Sequence, residues 1–124
     1  MRALIARDLA DAVVPGVSAD RRFATAYNAA LQAASMAIAC AGYRITSQTG
    51  HHRLSLQSVA LALGKSVQKN ADYFDTCRRK RNQIDYTFSN VATETEAREI
   101  ALQAKQFYLH VEAWIAKNHP SLKK

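Results

Sequence analysis

Residues 19–41 read ADRRFATAYNAALQAASMAIACA, and this stretch decides the fold. Its apolar positions Tyr27, Leu31, Ala34, Ile38 and Ala41 recur at alternating steps of four and three, the repeat of one helix face rather than the alternation of a strand. Alanine carries the best intrinsic helix propensity, and so many small side chains let a neighbouring helix approach closely. Ser18 stands where an N-cap belongs and Gly42 where a helix terminates, because a serine hydroxyl accepts from a free amide of the first turn and glycine tolerates the left-handed residue at the end.

Working outward, the same period recurs. Arg2 to Val14 predicts a short helix with Leu4, Ile5, Leu9 and Val13 on one side, closed by Pro15-Gly16. Tyr43 to Gly50 is a polar loop, and His52 to Leu63 forms a shorter helix with Leu56, Val59, Ala60 and Leu63 inward, closed by Gly64. A further helix runs from about Val67 to Thr87 or Phe88, and Ser89-Asn90 break it. Thr93 with Glu96 is a capping box, each side chain placed to bond the other's backbone amide. It opens a last helix, Glu94 to Lys117, with Ile100, Ala104, Phe107, Val111 and Trp114 inward. Short connections favour antiparallel neighbours. The expectation is an all-α, up-and-down four-helix bundle with a short N-terminal helical extension, a single domain over 1–124 whose core spans about 19–117.

Composition bounds the function. The chain has 124 residues, enough for one real core, and 48% apolar residues, too many for a disordered chain. No apolar run approaches the roughly 20 residues of a membrane span. Asp8 and Asp11 interrupt the first apolar segment, which argues against a signal peptide. Cys40 and Cys77 form no disulfide pattern, so a reducing cytoplasm is expected. A formal net charge of +7 makes an acidic partner plausible, whether nucleic acid, nucleotide or acidic protein.

One segment breaks the pattern. The stripe of the 67–88 helix runs Val67, Ala71, Phe74, Cys77, then Arg81 where an apolar residue belongs, then Ile84 and Phe88. A guanidinium on an inner face costs several kcal/mol, on the order given for buried ions, unless it is paired, and such departures concentrate at functional sites. Asp85 lies one turn beyond Arg81 and can reach it, Asn82 and Tyr86 are one turn apart, and Arg78 lies a turn before. Arg79 and Lys80 point elsewhere and are expected in solvent. Two readings stand at this point: an Arg81–Asp85 pair that fixes helix register, or an anion site for phosphate or RNA backbone, where the arginine fork matches phosphate oxygens.

The run Arg78-Arg79-Lys80-Arg81-Asn82-Gln83-Ile84-Asp85-Tyr86, together with Gly42-Tyr43 and Gly50-His51-His52-Arg53 ahead of a leucine-bearing helix, resembles the signature of the HEPN superfamily over about Phe23 to Lys117. The resemblance implies a bundle of four or five helices, usually a homodimer whose signature helices meet near the interface. It also implies one of several roles: a metal-independent ribonuclease of toxin-antitoxin or defence type, a non-catalytic partner of a small nucleotidyltransferase, or a binder of RNA or nucleotide. In the catalytic branch an arginine is followed, four to six residues on, by a histidine. Arg81-Asn82 match the beginning, but Tyr86 stands where the histidine is expected. Histidine serves there because its pKa lies near neutrality, whereas a phenol near 10 is a poor base at pH 7. The tyrosine that some members carry two residues further falls at Phe88, which puts modification by a nucleotidyltransferase in doubt. The implied protein is a degenerate member with Arg78, Arg81, Asn82, Asp85 and Tyr86 forming a ligand-facing cleft. The alternative is a divergent ribonuclease using Arg81 with Asp85 or Tyr86.

The remaining chemistry is weak. His51 and His52 are adjacent, so they do not share a helix face, and no carboxylate or thiol completes a metal set at the right spacing. No metal and no cofactor is expected. His110, Cys40 and Cys77 read as structural, and Phe107, Tyr108 and Trp114 as core or dimer interface. A helix-turn-helix DNA reader is disfavoured because the basic run lies in the C-terminal half of its helix, whereas such readers contact bases from the N-terminal end.

Overall fold

A computed structural model describes residues 2–40, 63–64, 67–85 and 91–118, and of Asp85 the backbone alone. Four helices organise these residues: α1 (Arg2–Asp11), α2 (Ala19–Cys40), α3 (Gln68–Asp85) and α4 (Glu94–Asn118). The expected helix over 52–63 lies outside the described residues, apart from its last position. Leu63 is helical and buried, and Gly64 follows with φ 91°, the left-handed conformation that favours glycine at a terminator.

Side-chain pairings fix the helix directions. At the start of α2, Asp20 accepts from the Ala92 and Val91 amides at 2.7 and 3.3 Å, and Arg22 pairs with Glu94 at the start of α4. Thus α2 and α4 run parallel. Arg2, opening α1, meets Glu112 late in α4 at 2.8 Å. Lys80, near the end of α3, meets Glu96 early in α4 at 2.8 Å, while Phe74, half-way along, meets Phe107 with ring centroids 5.5 Å apart. So α1 and α3 both run against α4, and the direction alternates through the four described helices. The all-α up-and-down bundle is therefore found. The N-terminal helix lies along α2 and is tied to α4, so it serves as a bundle member.

The alanine-rich helix is central. Phe23, Ala26, Tyr27, Ala29, Ala30, Leu31, Ala33, Ala34, Met36, Ala37 and Ile38 are all buried, and α2 packs most extensively on α4. Small side chains on several faces explain this, because they admit a neighbour on more than one side. On α4, Ile100, Ala104, Phe107 and Val111 are buried as their spacing requires.

Some details differ from expectation. The first helix ends at Asp11; Ile5 is buried and Leu9 packs against the core as expected, whereas Leu4 and Val13 are exposed and Asp8 and Ala12 face inward. The reason is Asp8, whose carboxylate is held by Gln32 Nε2 at 3.1 Å and by Arg7, so a polar residue takes a place on the packed side. At the end of α4, Ile115 is fully buried and Trp114 only packs against the core's edge.

Candidate functional site

The inner face of α3 follows the predicted stripe up to the charged segment. Val67, Ala71, Phe74 and Cys77 are buried, and Phe74 sits between Tyr73, 5.2 Å away edge-on, and Phe107. One turn past Cys77 the stripe reaches Arg81, which is half-buried. Its Nη2 donates to Asn28 Oδ1 of α2 at 3.2 Å. This neutral amide was not foreseen in the sequence, although Asn28 and Gln32, one turn apart on an alanine-rich helix, were its available signal. Whether Arg81 also meets the Asp85 carboxylate lies outside the described side chains, as does Tyr86.

Arg78, one turn earlier, is mostly buried at its side chain and its Nε donates to Asp75 Oδ1 at 3.3 Å. Asn82 is half-buried and Arg79 is exposed. Beneath the arginines lies Tyr27, fully buried. Burial pushes its phenol up to about 12, against the opposing pull of the nearby Arg78 and Arg81 charges. Tyr27 is thus a neutral hydroxyl under two guanidinium groups, and cannot act as a base at physiological pH. The structure brings Arg81 together with Asn28 and places Arg78 within electrostatic reach of the same Tyr27.

Lys80 is a correction. It was expected in solvent, yet its Nζ donates to Glu96 Oε2 at 2.8 Å and to the Val91 carbonyl at 3.3 Å. Lys80 thereby fastens the basic end of α3 to the start of α4. There the capping box forms as expected: Thr93 N donates to Glu96 Oε1 at 2.9 Å and Glu96 N donates to Thr93 Oγ1 at 3.0 Å. The Lys80 bond and the box together hold the Glu96 carboxyl below its ordinary range. So the basic run divides into Lys80, which is structural; Arg79, which is solvated; and Arg78 with Arg81, which line the α2–α3 seam.

Beside this seam lies a small cavity of about 190 Å³ between α3 and α4, with Phe23, Tyr73, Thr76, Cys77, Lys80, Glu96 and Glu99 around it. Burial pushes the Cys77 thiol up to about 11, so it is a packing group and not a nucleophile. No helix among the described residues is long and apolar enough to cross a membrane.

The model of the SAV_6107-like HEPN family matches residues 16–112, which takes in α2, α3 and most of α4. The chain belongs to this HEPN family. The match spans the arginine-bearing helix and its Asn28 partner, so Arg81 and its neighbours lie on the part of the chain that the family defines. No curated protein and no solved structure matches the chain.

Proposed function

We propose that the chain is a single, non-catalytic HEPN module that binds RNA or a nucleotide through the α2–α3 seam, with Arg78, Arg81, Asn82, Asp85 and Tyr86 facing the ligand. The observation that carries this reading is Arg81 itself. It is a guanidinium at an otherwise apolar position of α3, and its Nη2 donates across the seam to the Asn28 amide oxygen at 3.2 Å. A residue serving only to fix register would be better placed as an apolar side chain, since replacing partly buried ions by apolar groups is often neutral or stabilising. A retained charge there suits an anion, and arginine's fork suits phosphate.

The reading is of binding and not cleavage because position 86 is tyrosine where the nuclease branch carries histidine. Among the described residues the phenol near the arginines is that of Tyr27, which burial pushes up to about 12. Neither provides a proton acceptor near neutrality. The protein would act as a homodimer and, like some HEPN proteins, in the company of another protein such as a small nucleotidyltransferase.

The test is fluorescence anisotropy of a labelled single-stranded RNA across a salt series. Each phosphate contact contributes roughly 0.7 to the slope of log affinity against log salt for single strands. Arg81→Ala is expected to weaken binding and lower that slope by about one contact's worth. Unchanged binding in a folded Arg81→Ala protein would reduce the arginine to a structural role. Incubating the same RNA with the wild type in chelator addresses the alternative: cleavage that disappears in Arg81→Ala would make the protein a divergent ribonuclease using Asp85 or Tyr86.

A further inference from the structure

A cavity of about 450 Å³ opens where the connection between α1 and α2 meets the starts of α2 and α4. Small-molecule sites commonly measure about 300–1,000 Å³. The lining divides by chemistry. Val13, Pro15 and Val17 of the connection supply an apolar side, and Arg22 of α2 with Glu94 and Arg98 of α4 supplies a charged one. Arg22 fastens the two sides together, because its Nε donates to the Val17 carbonyl at 2.9 Å and its Nη2 to Glu94 Oε1. The cavity is therefore shaped before any ligand arrives.

The charged side has capacity left over. Arg22 is only 9% exposed, yet its Nη1 makes no hydrogen bond among the described residues. Arg98 lies 3.8 Å from Glu94 Oε2, beyond hydrogen-bond distance, with its side chain 79% exposed. The bond from Arg22 holds the Glu94 carboxyl below its ordinary range, so it is ionised at neutral pH. Two guanidinium groups thus face one carboxylate, which leaves one positive charge at this end. On the apolar side, Val13 is left 63% exposed.

We propose that this cavity binds a carboxylate carried on a short apolar group. The carboxylate lies between Arg22 Nη1 and the Arg98 guanidinium, and the apolar group lies against Val13, Pro15 and Val17. Arginine's planar fork matches the two carboxylate oxygens. The single surplus charge selects a monoanion, since a phosphate dianion would set a second negative charge against Glu94. A free aliphatic acid and an apolar C-terminal residue of a peptide share this chemistry. None of these residues lines the α2–α3 seam, so carboxylate binding here is independent of RNA binding there.

The experiment titrates the full, isotope-labelled chain with hexanoate and follows the Val13 and Val17 methyl signals and the Arg22 Nε–H signal by NMR. All three are expected to move, with a dissociation constant on the order of 1 mM for so small a ligand. Hexanol lacks the charge and acetate lacks the apolar group, and each is expected to bind about tenfold more weakly. Arg98→Ala changes an exposed side chain, should leave Tm unchanged, and should weaken hexanoate about tenfold. Val13→Asp, also at an exposed position, should abolish binding by setting a carboxylate at the mouth. N-acetyl-glycyl-leucine distinguishes the two sources: tighter binding than hexanoate identifies a peptide C terminus, weaker binding a free acid, and either supports the site. If hexanoate and the peptide leave the three signals in place at tens of millimolar, the site does not exist. It is equally overturned if hexanol or acetate binds as tightly as hexanoate, or if Arg98→Ala changes nothing.

Discussion

Replacing Glu96 separates two interactions that meet at one carboxylate. Oε1 accepts from the Thr93 amide at 2.9 Å as half of the capping box, and Oε2 accepts from Lys80 Nζ at 2.8 Å. Loss of the Glu96 half of the box, one hydrogen bond to the Thr93 amide, costs about 1 kcal/mol, while the Thr93 half remains. The ion pair lies at the surface, with the two side chains 30% and 40% exposed, so after solvent screening it is worth only about 0.5 kcal/mol. Glu96→Ala removes both and should cost about 1.5 kcal/mol; Glu96→Gln keeps a neutral acceptor for Thr93 and should cost about 0.5 kcal/mol. At roughly 2.1 cal/mol/K per residue of unfolding entropy, 1 kcal/mol corresponds to about 4 °C for a chain of this size. Thermal melts at neutral pH should therefore show Tm falling by about 6 °C for alanine and about 2 °C for glutamine. Hydrogen exchange at the end of α3 should quicken in both, since Lys80 loses its charged anchor. Equal losses in the two variants would refute the division, because the charge and not the box would then carry the effect.

Phe74→Ala removes a fully buried ring lying between Tyr73 and Phe107; it should destabilise by about 3–5 kcal/mol in denaturant titrations, and a loss under about 1 kcal/mol would place that ring outside the core. Acidification should weaken the fold, because Arg2 holds the Glu112 carboxyl, and Lys80 the Glu96 carboxyl, below the ordinary value of 4.5. A carboxyl depressed in the folded state contributes stability above its unfolded pKa and loses it as pH falls through the folded value, so melts from pH 6 downward should decline below about pH 4.5, and Glu112→Gln should flatten that decline. A thiol reagent at pH 8 should modify half-exposed Cys40 first, with Cys77, buried and pushed up to about 11, labelled only as the protein unfolds; equal rates would contradict the packing of α3.

The helices were legible because their signals are local. The step of four and three in 19–41, the Thr93–Glu96 box and the turn at Gly64 each depend on a few neighbouring residues, and each forms. Errors came where a residue answers to a distant partner. Asp8 turns inward because Gln32, three turns into another helix, receives it, and no periodicity within 2–14 encodes that. Lys80 reads as a solvated base along its own helix, but Glu96 and the Val91 carbonyl of the neighbouring segment hold it. The stripe correctly singled out Arg81 as anomalous, but the residue it meets, Asn28, lies 53 positions away. The helix-local arithmetic that supplied Asp85 and Tyr86 as its neighbours gives no access to Asn28.

That separation bears on how the proposed site would be held. An arginine at the end of one helix has many rotamers, and holding it toward a ligand costs side-chain entropy of up to about 2 kcal/mol. Three ties lower that cost before any ligand arrives. Asn28 takes one Nη of Arg81, the Arg78–Asp75 bond holds the preceding turn, and Lys80 clamps the end of α3 to the capped start of α4. Asn28 holds Arg81 across the seam, while Asp75 holds Arg78 and Glu96 holds Lys80. Exchanging these roles should therefore separate stability from affinity: Asn28→Asp should be at least as stable as the wild type and bind RNA worse, while Glu96→Gln should be less stable and bind nearly as well once folded. If both variants lost stability and affinity in proportion, RNA binding would only be reporting the fraction folded, and the seam would hold no site of its own.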